Sequence, residues 1–257
     1  CKMGLTIAIR YAFERRQFGA PNSSSEVAIM SYPTHKRRLM PLLARTVALV
    51  PFYHYAVDVY GQKDIDPSTV ALGHNLTSII KVVSSWHMVN LLDECRQCCG
   101  GAGFRAPNRI SSLIRDTHTF VTFEGDNTVL TQQTAKYLLV LYANAMKNGG
   151  KFSGILSHLN QAPPDCDGGS LSVDEQLLCP KYQLYLFQQR EISLLRLLAH
   201  NLQKRQQSGQ NEWEAFNEEL VLARDLALAH AERLIQEHMV QSYQICSFAN
   251  SGILRLL

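Results

Sequence analysis

The chain has 257 residues, 46% of them apolar, and a formal net charge of +3, enough apolar material for one large core or two smaller ones and too much for a disordered chain. So small a charge argues against a phosphate-tracking nucleic-acid surface, which needs clustered Lys and Arg. No apolar run approaches the ~20 residues that cross a bilayer, so no membrane span is expected.

Lys2, Arg10, Glu14, Arg15 and Arg16 break any leader-like apolar region at the start. Ile7, Tyr11 and Phe18, with Met3 and Glu14 between them, recur at threes and fours and predict a first helix that Phe18-Gly19-Ala20-Pro21 stops. Asn22 to Ser25 offers N-caps for a segment beginning at Glu26. A second helix is predicted from near Pro33, bending near Pro41, to about Tyr60. After a turn-rich stretch from Gly61 to Pro67, Ser68 can cap a third helix through Leu92, and Gly100, Gly101 and Gly103 end its run. A short helix near Asn108–His118, a loop at Thr122–Asp126 and a long helix from about Asn127 to Met146 follow. Strand character is confined to Thr119–Phe123. From Asn148 to Leu178 the composition turns to Gly, Ser, Pro and Asp and reads as a linker. Beyond it, Leu195, Leu198 and Leu202 share one helix face, and Leu220, Ala223, Ala227, Ala231 and Leu234 share another that is alanine-rich and suited to close packing.

The fold expected is all-α: a bundle of roughly four long helices over residues 1–148, a linker over 149–178, and a second, incomplete helical domain over 179–257. Both ends, Cys1-Lys2-Met3-Gly4 and Ser251 to Leu257, fall inside apolar-periodic segments, so a fragment is expected. Seven cysteines stand at 1, 95, 98, 99, 166, 179 and 246. The odd number and uneven spread argue against a disulfide scaffold, and Cys95-x-x-Cys98 lacks the second pair that zinc wants, so no metal is expected.

Three clusters break helical logic. Glu14-Arg15-Arg16-Gln17-Phe18-Gly19 puts two guanidiniums at a helix end, where they suit either a phosphate or the negative end of the macrodipole. Gln97-Cys98-Cys99-Gly100-Gly101-Ala102-Gly103-Phe104 reads as a helix C-cap or as backbone kept bare for a close ligand or a neighbouring chain. It is not a dinucleotide fingerprint, since no strand precedes it. Thr122-Phe123-Glu124-Gly125-Asp126-Asn127-Thr128 places a carboxylate before a long helix. Asp126 or Asn127 can be the N-cap and Glu124 can favour the helix dipole; alternatively Phe123 and a covering ligand desolvate Glu124 and make it a general base.

In order and approximate spacing, these three clusters resemble the C-terminal half of the acyl-CoA dehydrogenase and oxidase superfamily. The Glu124-Gly125-Asp126-Asn127-Thr128 form, Arg15-Arg16-Gln17-Phe18-Gly19, and Tyr32-Pro33-Thr34-His35-Lys36-Arg37-Arg38-Leu39-Met40-Pro41-Leu42-Leu43-Ala44 resemble the acyl-CoA oxidase branch, as does the second helical unit. The resemblance implies the four-helix-bundle C-terminal domain of that fold, with the N-terminal α domain and middle β domain outside this chain. It implies FAD as cofactor, fatty acyl-CoA and molecular oxygen as substrates, and a homodimer in which FAD is contacted across the subunit interface. Glu124 then corresponds to the base that removes the α-proton, its backbone N–H helping to hold the thioester carbonyl, and Gly125 leaves room for flavin and acyl chain. Arg15, Gln17 and Phe18, then Gln97, Gly100 and Gly101, correspond to two stretches that touch FAD. Asp126, Asn127 and Thr128 lie near the nucleotide or cap the last helix. The implied reaction is peroxisomal α,β-dehydrogenation to trans-2-enoyl-CoA with release of hydrogen peroxide, and the chain alone is expected to be inactive. An acyl-CoA dehydrogenase using an electron-transfer flavoprotein and a non-catalytic helical dimerisation module are the alternatives.

Overall fold

The computed structural model describes residues 1–20, 25–62, 66–161 and 172–249, and these form helices and connections with no strand. The Asn22–Ser24 caps and the terminal Ser251–Leu257 segment considered above lie outside the described residues, as do 63–65 and 162–171. Two compact units result: Cys1–Val50 with Val83–Asp126, and Pro51–Val82 with the chain from Asn127 onward. No described helix is long and apolar enough to cross a membrane.

In the first unit, α1 (Lys2–Glu14) buries Leu5, Ala8 and Ala12, one helical stripe. The small residues permit close approach: a Cβ at Gly4 would stand 2.7 Å from the Leu92 side chain. The predicted stripe of Ile7, Tyr11 and Phe18 is thus displaced. Ile7 and Tyr11 pack at the edge of the core, and Phe18 is 72% exposed. The helix also ends earlier than expected. Arg15 turns extended at φ −69°, ψ 123°. Its strand-like continuation pairs with residues 27–29 through Gln17 N–H to Val27 O (3.0 Å), Val27 N–H to Phe18 O (3.0 Å) and Ile29 N–H to Arg15 O (2.9 Å). Pairing between these two segments satisfies the same backbone groups that another helical turn would have satisfied, so the helix gives way to extended backbone at Arg15. For the same reason no α-helix begins at Glu26; a 3-10 turn, Ile29–Ser31, leads into α2 (Pro33–Tyr60), which has the predicted bounds.

α3 (Pro67–Cys98) extends one and a half turns beyond its predicted end. Its cap is Asp66, whose Oδ1 accepts from Thr69 N–H (2.7 Å) and from Ser68 Oγ (2.7 Å); Ser68 serves the cap instead of being it. Cys95, Cys98 and Cys99 lie in the apolar core with Leu39, Leu91 and Ile110. Burial pushes the Cys95 thiol up to about 12 and Cys98 up to about 11, so both stay protonated and act as small apolar residues. A 3-10 turn, Gly100–Phe104, then folds back so tightly that a Cβ at Gly103 would lie 2.1 Å from Arg96 O. α4 (Ile110–Thr117) follows, and Thr119–Phe123, the stretch with the most strand character in an otherwise helical sequence, is a 3-10 helix running into a turn. With no neighbouring strand there, local i→i+3 bonds satisfy its backbone.

In the second unit, α5 (Asn127–Lys147) packs with α7 (Pro180–Gln207) and α9 (Leu220–Ala249) about Leu138, Leu195, Leu198, Ala223 and Leu226. Ala223, Ala227, Ala231 and Leu234 are buried as the alanine-rich stripe requires. Capping boxes at Ser172–Glu175 and Asn211–Glu214 start the short α6 (Val173–Leu178) and α8 (Glu212–Glu218). The stretch read as linker, 149–178, is partly built into this unit. Phe152 and Leu156 are buried, and Asn160 closes the Gly154–Asn160 3-10 turn by bonding both Phe152 N–H (3.0 Å) and Phe152 O (2.7 Å). Composition signalled a loop but not its side-chain docking.

This unit also buries charge. Glu191, fully buried, accepts from His230 Nδ1 (2.5 Å) and Arg233 Nε (2.8 Å). Arg233 also donates to Ile155 O (3.1 Å) and pairs with Glu237. His158 Nε2 lies 3.2 Å from Glu191 Oε2 without hydrogen-bond alignment. Burial alone would raise the Glu191 carboxyl; Arg233 and His230 beside it hold it well below the usual range instead.

Candidate functional site

The extended segment that follows α1 and the glycine turn after α3 meet within the first unit and frame an open cleft of about 630 Å³. Arg15, Gln17, Phe18, Gln97, Gly100 and Gly101 all line it, so the structure brings together six sequence-selected residues from two distant segments. Phe18 holds a left-handed conformation, φ 58°, and projects outward. A bulky residue seldom adopts that geometry without a structural or functional reason.

Polar groups in the cleft are tethered to one another. Arg15 Nη2 donates to Gln17 Oε1 (2.8 Å), and Tyr32 OH donates to the Gln17 carbonyl (3.0 Å). Arg38 Nε donates to Glu94 Oε1, and its Nη2 reaches Gln97 Oε1 at 3.4 Å. Gln97 Nε2 in turn donates to Asp93 Oδ2 (2.8 Å). His35 also lines the cleft, its Nε2 buried with no hydrogen-bond partner among the described residues. Burial, and then Arg38, push that imidazole below its ordinary value, leaving it neutral near pH 7. Tyr32, His35 and Arg38 sit in the segment that carried the family resemblance, but no local pattern singled them out. Glu94 had no signal at all, since it meets Arg38 only when α2 packs on α3.

Glu124, Gly125, Asp126 and Thr128 do not line this cleft. Glu124 and Gly125 form a left-handed turn, φ 53° and 99°, between the 3-10 turn His118–Val121 and α5. The Glu124 carboxylate is exposed, and Phe123, 42% exposed, packs edge-to-face on Phe120 with centroids 5.0 Å apart. In this chain by itself the Phe123 ring is engaged by Phe120 and the turn presents Glu124 outward, so the desolvation expected from Phe123 and a covering ligand needs that ligand. Asp126 occupies the position preceding α5 and is exposed, as is Thr128. Asn127 is the first residue of α5. It is 1% exposed, accepts from Lys81 Nζ (2.7 Å) and donates to Val82 O (3.5 Å), anchoring the helix start in the second unit.

Comparison with known proteins bears on the family. The acyl-CoA oxidase C-alpha1 domain matches residues 1–139, and a second acyl-CoA oxidase domain matches residues 179–257. The peroxisomal acyl-coenzyme A oxidase 3 of Arabidopsis thaliana is 34% identical over 242 residues, covering 94% of this chain and 35% of its own length. A solved acyl-CoA oxidase from tomato has a TM-score of 0.82 at 27% identity, covering 94% of this chain and 37% of its own. Acyl-CoA oxidase-1 of Caenorhabditis elegans, complexed with FAD and ATP, shares the fold with a TM-score of 0.83 at 24% identity, covering 93% of this chain and 36% of its own. The chain thus spans a little over a third of the length of the relatives it matches. With a domain match over more than half of its length and a relative one-third identical along nearly all of it, the chain belongs to the acyl-CoA oxidase family.

Proposed function

We propose that the protein containing this chain is a peroxisomal, FAD-dependent acyl-CoA oxidase that acts on fatty acyl-CoA as a homodimer. In this reading residues 1–148 are the bundle covering flavin and substrate, 149–178 join it to a second helical domain, and 179–257 belong to that domain. The convergence of Arg15, Gln17, Phe18, Gln97, Gly100 and Gly101 on one cleft is the observation that carries it. Two further features fit an outside group there. Among the described residues nothing lies within 4 Å of a Cβ built on Gly101, and its φ is not left-handed, so none of their contacts requires the glycine. His35 Nε2 is left without a partner among those residues at the same cleft.

Arg15 and Gln17, braced on each other, with Gln97 and the bare backbone at Gly100 and Gly101, would hold FAD belonging to the neighbouring subunit; Asp126 and Thr128 would lie near its nucleotide end. When bound, FAD supplies the hydride acceptor and the route by which electrons reach O₂, giving hydrogen peroxide. The α C–H of a thioester is too weak an acid for a carboxylate in water, so the base must work where water is excluded and the carbonyl oxygen is held by N–H donors. Glu124 takes the α-proton onto a carboxylate oxygen as the β-hydrogen departs with its electron pair, leaving trans-2-enoyl-CoA. The Glu124 backbone N–H would help hold the carbonyl oxygen, and Gly125 would leave room for the acyl chain. Since Glu124 is exposed in this chain, the thioester and the surrounding assembly must provide its cover.

In the full-length protein, Glu124→Gln should retain FAD and bind substrate yet lose anaerobic flavin bleaching; bleaching at the wild-type rate would reject the assignment. Peroxide formed under air distinguishes an oxidase from a dehydrogenase that turns over only with an electron-transfer flavoprotein. A wild-type protein that neither bleaches nor binds FAD would be the non-catalytic helical module.

A further inference from the structure

We propose that the Arg38–Glu94 pair is a positioning device that fixes the Gln97 amide for the cofactor, an inference that rests on the cofactor reading of the cleft. Glu94 on α3 holds Arg38 of α2 through Nε, which leaves the guanidinium fork to present Nη2 to Gln97 Oε1 at 3.4 Å. From the other side Asp93 Oδ2 accepts from Gln97 Nε2 at 2.8 Å, while Asp93 Oδ1 accepts from Arg96 Nε at 3.3 Å. A guanidinium only donates and a carboxylate only accepts, so the two partners together dictate which end of the amide is oxygen and which is nitrogen. A flip would face N–H groups toward Arg38 and a carbonyl oxygen toward Asp93.

Gln97 is exposed at the last turn of α3, where an untethered glutamine samples many rotamers and both amide orientations. Binding would then have to order it at the expense of affinity. Tethered on both sides, it retains one N–H and one lone pair for a ligand in a set orientation. Arg38 and Glu94 are 38% and 30% exposed at the side chain, so the pair is half-shielded: firm enough to orient, too open to be needed for the core. Arg38 acts through Gln97, which makes it a positioning residue.

The test is a double-mutant cycle on the full-length protein, stripped of flavin and reconstituted, with the FAD dissociation constant read from flavin fluorescence. Arg38→Gln should weaken FAD binding about fivefold, and Glu94→Gln should do the same. In the Gln97→Ala background, Arg38→Gln should have no further effect. The paired variant Arg38→Gln/Glu94→Gln, which strands no charge, should show the same weakening while the apo-protein keeps its melting temperature. Wild-type affinity in the Arg38→Gln or the paired variant, or losses that add with Gln97→Ala, would overturn the positioning role. Wild-type affinity in Gln97→Ala itself would instead overturn the cofactor reading of the cleft.

Discussion

Arg38–Glu94 in the first unit and Arg233–Glu191 in the second are the same chemical pair in opposite settings. The first is about a third exposed at each side chain, and Arg38 reaches on to a glutamine at the rim of an open cleft. The second is 1% and 0% exposed, and its valences are spent within the fold on His230, Glu237 and the Ile155 carbonyl. Burying a charge is tolerable when every hydrogen-bonding position is matched, and such a cluster then ties elements together. A pair left partly in water stabilises little and remains available to a ligand. Two units of one chain thus use the same residue types for architecture and for presentation.

That contrast can be broken most directly in the second unit. Arg233→Met should destabilise the chain by about 3–5 kcal/mol, because it strands a buried carboxylate, whereas the joint Arg233→Met/Glu191→Leu exchange should recover most of that loss. Urea unfolding measures both, and a single variant as mild as Arg38→Gln would remove the distinction.

The next effect is a pH dependence. Thr46 Oγ1 donates its hydrogen to Leu42 O (2.8 Å), so it can only accept from His87 Nε2 at 2.9 Å, which places a proton on Nε2. Burial first, and Arg45 after it, lower its pKa from 6.5 to about 4. The unfolded chain therefore binds more protons than the folded one between those values. Stability is fully present above about 6.5 and is lost as pH falls toward about 4, by at most about 1.4 kcal/mol per pH unit from this group. The depressed Glu191 carboxyl adds its own loss only at lower pH. A His87→Gln variant should flatten the upper part of that slope in thermal melts; an unchanged slope would assign it elsewhere.

Smaller still, Gly103→Ala should cost about 1–3 kcal/mol, since its Cβ meets backbone at 2.1 Å. Gly101→Ala should leave stability within about 0.5 kcal/mol, because the space is open, yet weaken FAD binding in the full-length protein. Paired melts and FAD titrations of the two variants sharpen the comparison within the first unit itself. Equal stability losses would mean that the glycine turn is wholly structural.

Local pattern carried far in some places and failed in others for reasons that can be named. α2 was legible from Pro33 to Tyr60 because apolar spacing and an N-terminal proline act within a few residues. α1 was read past its end because what stops it at Glu14 is the pairing of residues 15–18 with 27–29, a contact between segments. Likewise, Phe152 and Leu156 sit in a stretch whose composition says loop, and only packing reveals them as core.

By itself the sequence determined helical class, most helix positions and the family, since periodicity, caps and three ordered motifs are all local properties of the chain. It also named six of the residues that line the cleft. Only the tertiary structure decided that those six converge, that Arg38 and Glu94 stand behind Gln97, that Glu124 lies on an exposed left-handed turn, and that Glu191, His230 and Arg233 share one buried cluster. Such meetings depend on which faces of distant helices come together and which charges water still reaches, and neither is encoded in the spacing of neighbouring residues.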